Sequence, residues 1–288
     1  MPEPFLKWLG GKRKLLPKLR EHFPEKIDIY IEPFVGAGSV LLDVVEKYHP
    51  QKIVVSDKNK MLISCYIAIR DSKEELISAL RELRDEYYAC GTLESKREFY
   101  NSKKREFNSL KKEDIIASSS LVMFLNKTCY CGLFRFNSKG EFNSSYRAHL
   151  SETIFKEDNI RKLSSMFECI EILNEDFETV IDKHADDGAF IYCDPPYYKT
   201  FDSYNASGFS PEDHLRLMKC LKRHEKCSAM ISNSYIEGDD FIEKIYYDFY
   251  IQKINSRRGV KYGKDSLALN ELIITNYETM IYDNFVDL

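Results

Sequence analysis

The 288-residue chain is 43% hydrophobic and 31% charged, the make-up of an ordinary globular protein long enough for one large domain or a domain with an insertion. Its formal charge of −4 excludes a uniformly basic nucleic-acid binder, and no apolar run approaches the roughly 18 residues of a membrane span. Met1-Pro2-Glu3-Pro4-Phe5 lacks a secretory layout and the eight cysteines are scattered through apolar stretches, so a cytoplasmic protein with reduced thiols is expected.

The first element in chain order is Phe5-Leu6-Lys7-Trp8-Leu9-Gly10-Gly11-Lys12, which holds the only tryptophan. Two glycines and a lysine before a helix make an anion-binding element. The spacing is not that of a Walker motif, which argues against a nucleoside triphosphate. Residues 27–31 read as a strand running into Glu32-Pro33-Phe34-Val35-Gly36-Ala37-Gly38-Ser39, and Val40 to Tyr48 as a helix. Gly36 and Gly38 permit a tight turn and close approach of backbone to a ligand. Leu41 stands where a dinucleotide motif has its third glycine, which favours a smaller ligand without phosphate, such as S-adenosylmethionine. Residues 52–57 form a second strand ending on Asp57, placed either to accept from both ribose hydroxyls or to cap the next helix.

From 58 to 116 the pattern is of long charged amphipathic helices. Residues 121–150 turn rich in Asn, Ser, Gly, Tyr and Arg, and a β-hairpin is expected at about 121–143 with its turn at Asn137-Ser138-Lys139-Gly140. Cys129 and Cys131 lie two apart with nothing to complete a zinc spacing, so no metal is expected. The strand–helix rhythm resumes near Ile170. Asp176 ends a strand, where it could cap a helix or accept from an adenine amino group with Phe177 beside the ring.

Ala189 to Cys193 reads as a buried strand, stopped by Asp194-Pro195-Pro196-Tyr197. Two prolines stiffen the backbone, since each fixes φ and lacks an N–H. A carboxylate and a rigid carbonyl can then accept both hydrogens of a planar amino group, with an aromatic ring beyond them to stack on the base. That arrangement fits methylation of an exocyclic amino group; the plain alternative for these four residues is a strand ending in a proline-rich turn. Further on, Arg257, Arg258 and Lys261 lie in a basic loop expected to contact phosphates. The whole predicts an α/β fold, with a catalytic domain from 1–57 and 151–288 interrupted by a helical insertion at 58–150.

In this order the motifs resemble the Dam-like (α-class, D12-type) N6-adenine DNA methyltransferases that use S-adenosyl-L-methionine, over nearly the whole chain. The resemblance implies a seven-strand Rossmann-like sheet with an inserted target-recognition domain. It places the cofactor at Trp8, Lys12, Asp57, Asp176 and Asp194, joining Glu32, Phe34, Gly36, Gly38 and Phe177 from the motifs above. Asp194, Pro195, Pro196 and Tyr197 are the expected catalytic residues. Asn126 to Asn137 looks like the family's recognition hairpin, so Lys7, Asn126, Tyr130, Arg135 and Asn137 are expected at the DNA. In relatives that methylate the adenine of GATC, the arginine matching Arg135 reads a guanine and the aromatic matching Tyr130 fills space in the base stack. Two departures stand out. Cys131 replaces the usual asparagine, and Ser144-Ser145-Tyr146-Arg147 replaces a Val-Pro-x-Gly stretch.

The expected partner is double-stranded DNA, with a target of GATC or another GA-containing site, a nucleoid-associated location and a monomer as the default state. Transfer to cytosine N4, to RNA adenine or to a protein glutamine is the enzymatic alternative. A catalytically inactive DNA-binding regulator is the other.

Overall fold

In the computed structural model, residues 2–8, 10–110, 114–137, 139–147, 153–199, 208–255 and 270–279 are described. The frame is set by short strands with apolar residues at successive positions, the pattern of strands buried on both faces. These are β1 (Ile29–Glu32), β2 (Lys52–Ser56), β3 (Glu171–Leu173), β4 (Phe190–Cys193), β5 (Ser228–Ser234), β6 (Tyr250–Asn255) and β7 (Asn270–Thr275). They form one seven-stranded sheet in the order β3-β2-β1-β4-β5-β7-β6. Strands β1 to β5 pair in parallel, and β7 runs antiparallel to β5 and β6.

Side chains alternate across the sheet. Tyr30, Ile53, Val55, Phe190, Tyr192 and Met230 enter one core, and Ile31, Val54, Ile191, Cys193, Ala229 and Ile231 enter the other. The first core also gathers buried residues from α1 (Leu16–Arg20), α2 (Ser39–Tyr48), α3 (Lys60–Asp71), α4 (Lys73–Ala89), α5 (Leu93–Ser109), α6 (Ile115–Thr128) and α7 (Glu157–Phe167). The second takes in α8 (Phe177–His184), α9 (Pro211–Arg223) and α10 (Phe241–Ile245). The described part of 58–150 therefore shares a core with the sheet: Leu62, Leu76, Tyr100 and Phe124 lie in one cluster with Tyr30 and Phe190. Among the described residues no helix is long and apolar enough to cross a membrane.

The hairpin starts later than the expected 121–143. Residues up to Thr128 continue α6, and the chain then turns through Tyr130–Gly132 into a loop closed by isolated bridges, Cys129 with Tyr146 and Phe136 with Phe142. The physical reason lies in α6 itself. Ser118 to Asn126 are all buried, so this helix has no polar stripe and no amphipathic period to read. Its N-cap is Asp114, which accepts from Ala117 N at 2.9 Å.

Candidate functional site

The strand order reverses between β1 and β4, the place where open α/β sheets form a crevice at their carboxyl ends. The segment after β1 and the segment after β4 are therefore neighbours, although the strands that bring them together, paired at Tyr30 with Phe190, lie far apart in sequence.

On the β1 side, Gly36 and Gly38 hold left-handed φ values of +50° and +76°. A Cβ at Gly36 would lie 3.0 Å from Trp8 Nε1, and one at Gly38 2.6 Å from the Tyr66 hydroxyl. Conformation and space both require glycine here. Tyr66, fully buried in α3, donates to Gly36 O at 3.0 Å, and Gly36 N donates to Asp57 Oδ2 at 3.2 Å. Asp57 Oδ1 also accepts from Asn59 N at 2.8 Å, so the carboxylate both steadies the glycine turn and shapes the start of α3.

Asp176 is the N-cap of α8, accepting from Glu178 N at 3.0 Å. Its carboxylate also takes Arg216 at 3.0 and 3.1 Å and Lys58 at 2.7 Å. Burial alone would raise its pKa, but the hydrogen bonds from Lys58 and Arg216 outweigh that and hold it below the ordinary value. The Arg216 guanidinium lies 4.3 Å from the Phe177 ring centroid, and Phe177 stacks on Phe34 at 5.4 Å. Lys58, in the turn between β2 and α3, and Arg216, on α9, were missed in the sequence because a single cation in a charged chain gives no local signal.

On the β4 side, Asp194 Oδ2 accepts from Lys12 Nζ, which also donates to Gly10 O at 3.0 Å. Lys12 is only 2% exposed and Asp194 is half-buried, so this is a partly buried ion pair joining the N-terminal segment to the end of β4. Asp194 Oδ1 is buried with no hydrogen-bond partner among the described residues. Such an oxygen is costly unless something donates to it. Beneath it, Glu32 is buried and accepts from Tyr30 Oη at 2.9 Å. Burial first, and the charge of Asp194 second, push the Glu32 carboxyl well above the usual range, against the pull of the Tyr30 hydrogen bond.

The aromatic residues beyond Asp194 are tied to β5 and β7. Tyr197 Oη donates to Glu271 Oε2 at 3.0 Å, Tyr198 N donates to Asn233 Oδ1 at 3.1 Å, and Ser234 Oγ donates to Tyr198 O at 3.2 Å. Lys12 Nζ lies 4.8 Å from the Tyr197 ring centroid. Cys193 is fully buried, and burial raises its thiol pKa well above the usual value, so it is no nucleophile.

The N-terminal segment reaches a second region. Asn126, buried in α6, accepts from Lys7 N at 2.8 Å and donates to Lys7 O at 2.9 Å and Gly132 O at 3.1 Å. A Cβ on Gly132 would lie 2.5 Å from Lys7 Cβ. Expected at the DNA, Asn126 is instead sealed inside, its amide spent on bracing Lys7 against the loop. Asn137 also serves its own turn: its Oδ1 accepts from Lys139 N and Glu141 N, and its Nδ2 donates to Glu141 Oε2.

Tyr130, Cys131, Arg135 and Arg147 are among the exposed residues of this loop. Tyr130 is 56% exposed, with the Arg147 guanidinium 5.0 Å from its ring centroid. Arg147 also donates to Cys131 Sγ at 3.3 Å, so the two departures from the family pattern touch each other. Cys131 has φ +55°, a left-handed conformation that asparagine tolerates better than cysteine. Arg135 is held at Nε by Asn143 Oδ1 at 3.0 Å. Arg257, Arg258 and Lys261 lie outside the described residues.

Away from the crevice, Asp182, Cys220 and His224 converge on the outer side of α8 and α9, but Arg223 also donates to both oxygens of Asp182.

Comparison with known proteins bears on the crevice as a whole. The chain is 38% identical over 290 residues to the Type II methyltransferase M.MjaIII of Methanocaldococcus jannaschii, covering 96% of this chain and 99% of that one. It is 35% identical over 289 residues to the Type II methyltransferase M1.LlaDCHI of Lactococcus lactis subsp. cremoris, covering 95% of each. It is 32% identical over 238 residues to the DNA adenine methylase of Escherichia coli strain K12, covering 80% of each. A family model described as D12 class N6 adenine-specific DNA methyltransferase matches residues 8–260, a span that takes in both sides of the crevice and the loop. The chain therefore belongs to the D12 class of N6 adenine-specific DNA methyltransferases.

Proposed function

We propose that this enzyme takes the methyl group from S-adenosyl-L-methionine, bound across the carboxyl ends of β1, β2 and β3, and places it directly on N6 of an adenine rotated out of duplex DNA. The observation that carries the reading is Asp194: one carboxylate oxygen fixed by Lys12, the other buried and without a donor among the described residues, at the strand-order reversal. An exocyclic amino group supplies the missing donor.

The residues present fit the methyl donor. Gly36 and Gly38 keep side chains out of the turn, Trp8 covers Gly36, and Asp57 lies beside it for a ribose diol. Phe34 and Phe177 form the apolar side for an adenine ring, with Asp176, Lys58 and Arg216 at its rim. The donor supplies an electrophilic methyl on a sulfonium. The protein aligns the acceptor: Asp194 and the Pro195 carbonyl accept the two N6 hydrogens, and Tyr197 stacks on the base. With the donor bound, forming the N–C bond would break the S–C bond and leave a neutral thioether. The N6 proton would pass through its hydrogen bond to Asp194 and on to solvent. No covalent enzyme intermediate is needed, so catalysis is alignment and electrostatic stabilisation.

For the target, we propose that Tyr130 fills the gap left by the rotated base and that Arg135 donates its fork to a guanine. Lys7 lies against the same loop. GATC or another GA-containing site follows from Arg135. Cys131 and Arg147, which meet beside Tyr130, are where the remaining bases would be decided.

The test is transfer of labelled methyl groups to unmethylated genomic DNA, with modified positions mapped by sequencing. N6-methyladenine at one short GA-containing sequence is expected. Methyl groups on cytosine, or none on DNA while the cofactor still binds, would overturn the reading.

A further inference from the structure

Glu271 is a carboxylate 2% exposed, on the one antiparallel strand of the sheet, and no motif in the sequence singled it out. A buried carboxylate costs stability unless its hydrogen bonds compensate, and an apolar residue of similar volume is often the more stable choice there. Glu271 pairs in register with Ser234 on β5 and Ile254 on β6, and its Oε2 accepts the Tyr197 hydroxyl at 3.0 Å. Its cross-strand neighbour Ser234 donates to Tyr198 O, and the adjacent Asn233 accepts from Tyr198 N. The backbone just after Tyr197 is thus clamped to β5, while the far tip of its ring is clamped to β7.

We propose that Glu271 is a positioning residue for the methyl transfer, setting the plane of the Tyr197 ring on which the target base stacks; this rests on the reading of the crevice given above. A tyrosine ring with a fixed backbone still turns about two side-chain bonds, and the hydrogen bond at its tip stops both. Lys12, 4.8 Å from the ring centroid and bonded to Asp194, then has a fixed relation to the same ring. The amino-group acceptor and the stacking surface are held in one frame by two charged residues that never touch the base. A base held in the wrong plane would bind but would present its nitrogen lone pair off the line of attack.

The experiment uses the full-length enzyme, duplex DNA carrying the mapped site, and four variants: Glu271→Leu, Glu271→Gln, Tyr197→Phe and Tyr197→Phe with Glu271→Leu. Glu271→Leu should lower kcat about tenfold or more, the loss associated with a hydrogen bond to a charged group, with cofactor affinity unchanged. Glu271→Gln keeps an acceptor and should recover most of that loss. In the Tyr197→Phe background, where the donor is already gone, Glu271→Leu should add nothing. Fluorescence of 2-aminopurine at the target position should show a flipped but less quenched base in Glu271→Leu.

Independent, additive losses in the double variant would overturn the proposal, and so would an unchanged kcat in Glu271→Leu. If Glu271→Leu fails to fold, Glu271→Gln decides the matter in both backgrounds: its smaller effect must vanish in Tyr197→Phe. The crevice reading fails separately, if the unaltered enzyme places no methyl group on adenine.

Discussion

The crevice and the recognition loop are built on opposite terms. At the crevice, central positioning contacts are made by buried groups: Tyr66 to Gly36, Tyr30 to Glu32, Lys12 to Asp194. At the loop, the chain is closed by two isolated bridges and by turns that satisfy their own backbone, and Tyr130, Arg135 and Arg147 face outward. A buried hydrogen-bonded network tolerates few exchanges, because each lost partner strands another group. An exposed turn tolerates many. This asymmetry accounts for where the chain keeps the family pattern and where it leaves it. Both departures lie in the loop, and they contact each other.

The largest expected effect comes from the crevice. Asp194→Ala should lower kcat by about a hundredfold or more, the scale seen when a preorganised polar partner of the reacting group is removed. Cofactor affinity should fall much less. Normal turnover in this variant, measured with saturating DNA and cofactor, would end the assignment of Asp194 and with it the contrast between the two regions.

The one place where the regions join gives the next test. Asn126 ties Lys7 to the loop by three hydrogen bonds, while the following residue, Trp8, packs on Gly36. Asn126→Ala would leave Lys7 N, Lys7 O and Gly132 O without this partner, at about 1–3 kcal/mol for each group left buried and unsatisfied. Urea unfolding should show a loss of a few kcal/mol, and DNA affinity should weaken in the folded fraction. An unmoved midpoint would mean that water or a shift of the segment satisfies those groups and that the two regions are joined elsewhere.

Arg135→Ala probes the loop alone. Losing one bidentate contact to guanine costs about 1–3 kcal/mol of discrimination. The expected result is a rise in methylation at sites altered at the guanine, by about tenfold relative to the proper site, with kcat on the proper site far less affected. If kcat fell and site preference held, Arg135 would be bracing the loop through Asn143 rather than reading a base.

Much of this was legible in the sequence, for physical reasons that can be named. Parallel strands buried on both faces leave apolar runs, and ligand turns at their ends leave glycine, proline and acidic residues, so the segments at Glu32–Gly38, Asp57, Asp176 and Asp194–Tyr197 are all read directly. The sheet order was not legible beyond the resemblance, because register and neighbours are set by contacts far apart in sequence. α6 escaped notice because a helix buried on all sides carries no periodic signal, and with it the start of the loop was misplaced. Asn126 was expected at the DNA through the resemblance, because its place at the head of the recognition segment does not show whether its amide faces outward or is sealed inside. Glu271 gave no signal at all. An acid within an apolar strand reads as an edge or surface residue until the partner that justifies its burial, Tyr197, is seen beside it.

The smallest effect appears only in acid, and it belongs to the sheet half. His214 on α9 is fully buried among Phe209, Tyr198 and Phe241, with no hydrogen-bond partner for either ring nitrogen among the described residues. His22 is likewise buried. Burial disfavours the charged ring and lowers the pKa of each to about 4. In the unfolded chain a histidine titrates near 6.5, so between about pH 6.5 and pH 4 the unfolded state binds more protons, and stability falls as pH falls. At about pH 5 the loss amounts to about 2 kcal/mol for each histidine. His214→Phe, which suits the aromatic surroundings, should remove its share: urea unfolding at about pH 7.5 and about pH 5 should show an acid loss smaller by about 2 kcal/mol than that of the unaltered enzyme. The loop from Cys129 to Arg147 contains no histidine. An unchanged acid slope in His214→Phe would move the sensitivity away from the aromatic wall behind Tyr198. The carboxylates that hold the crevice together would then be the groups to examine.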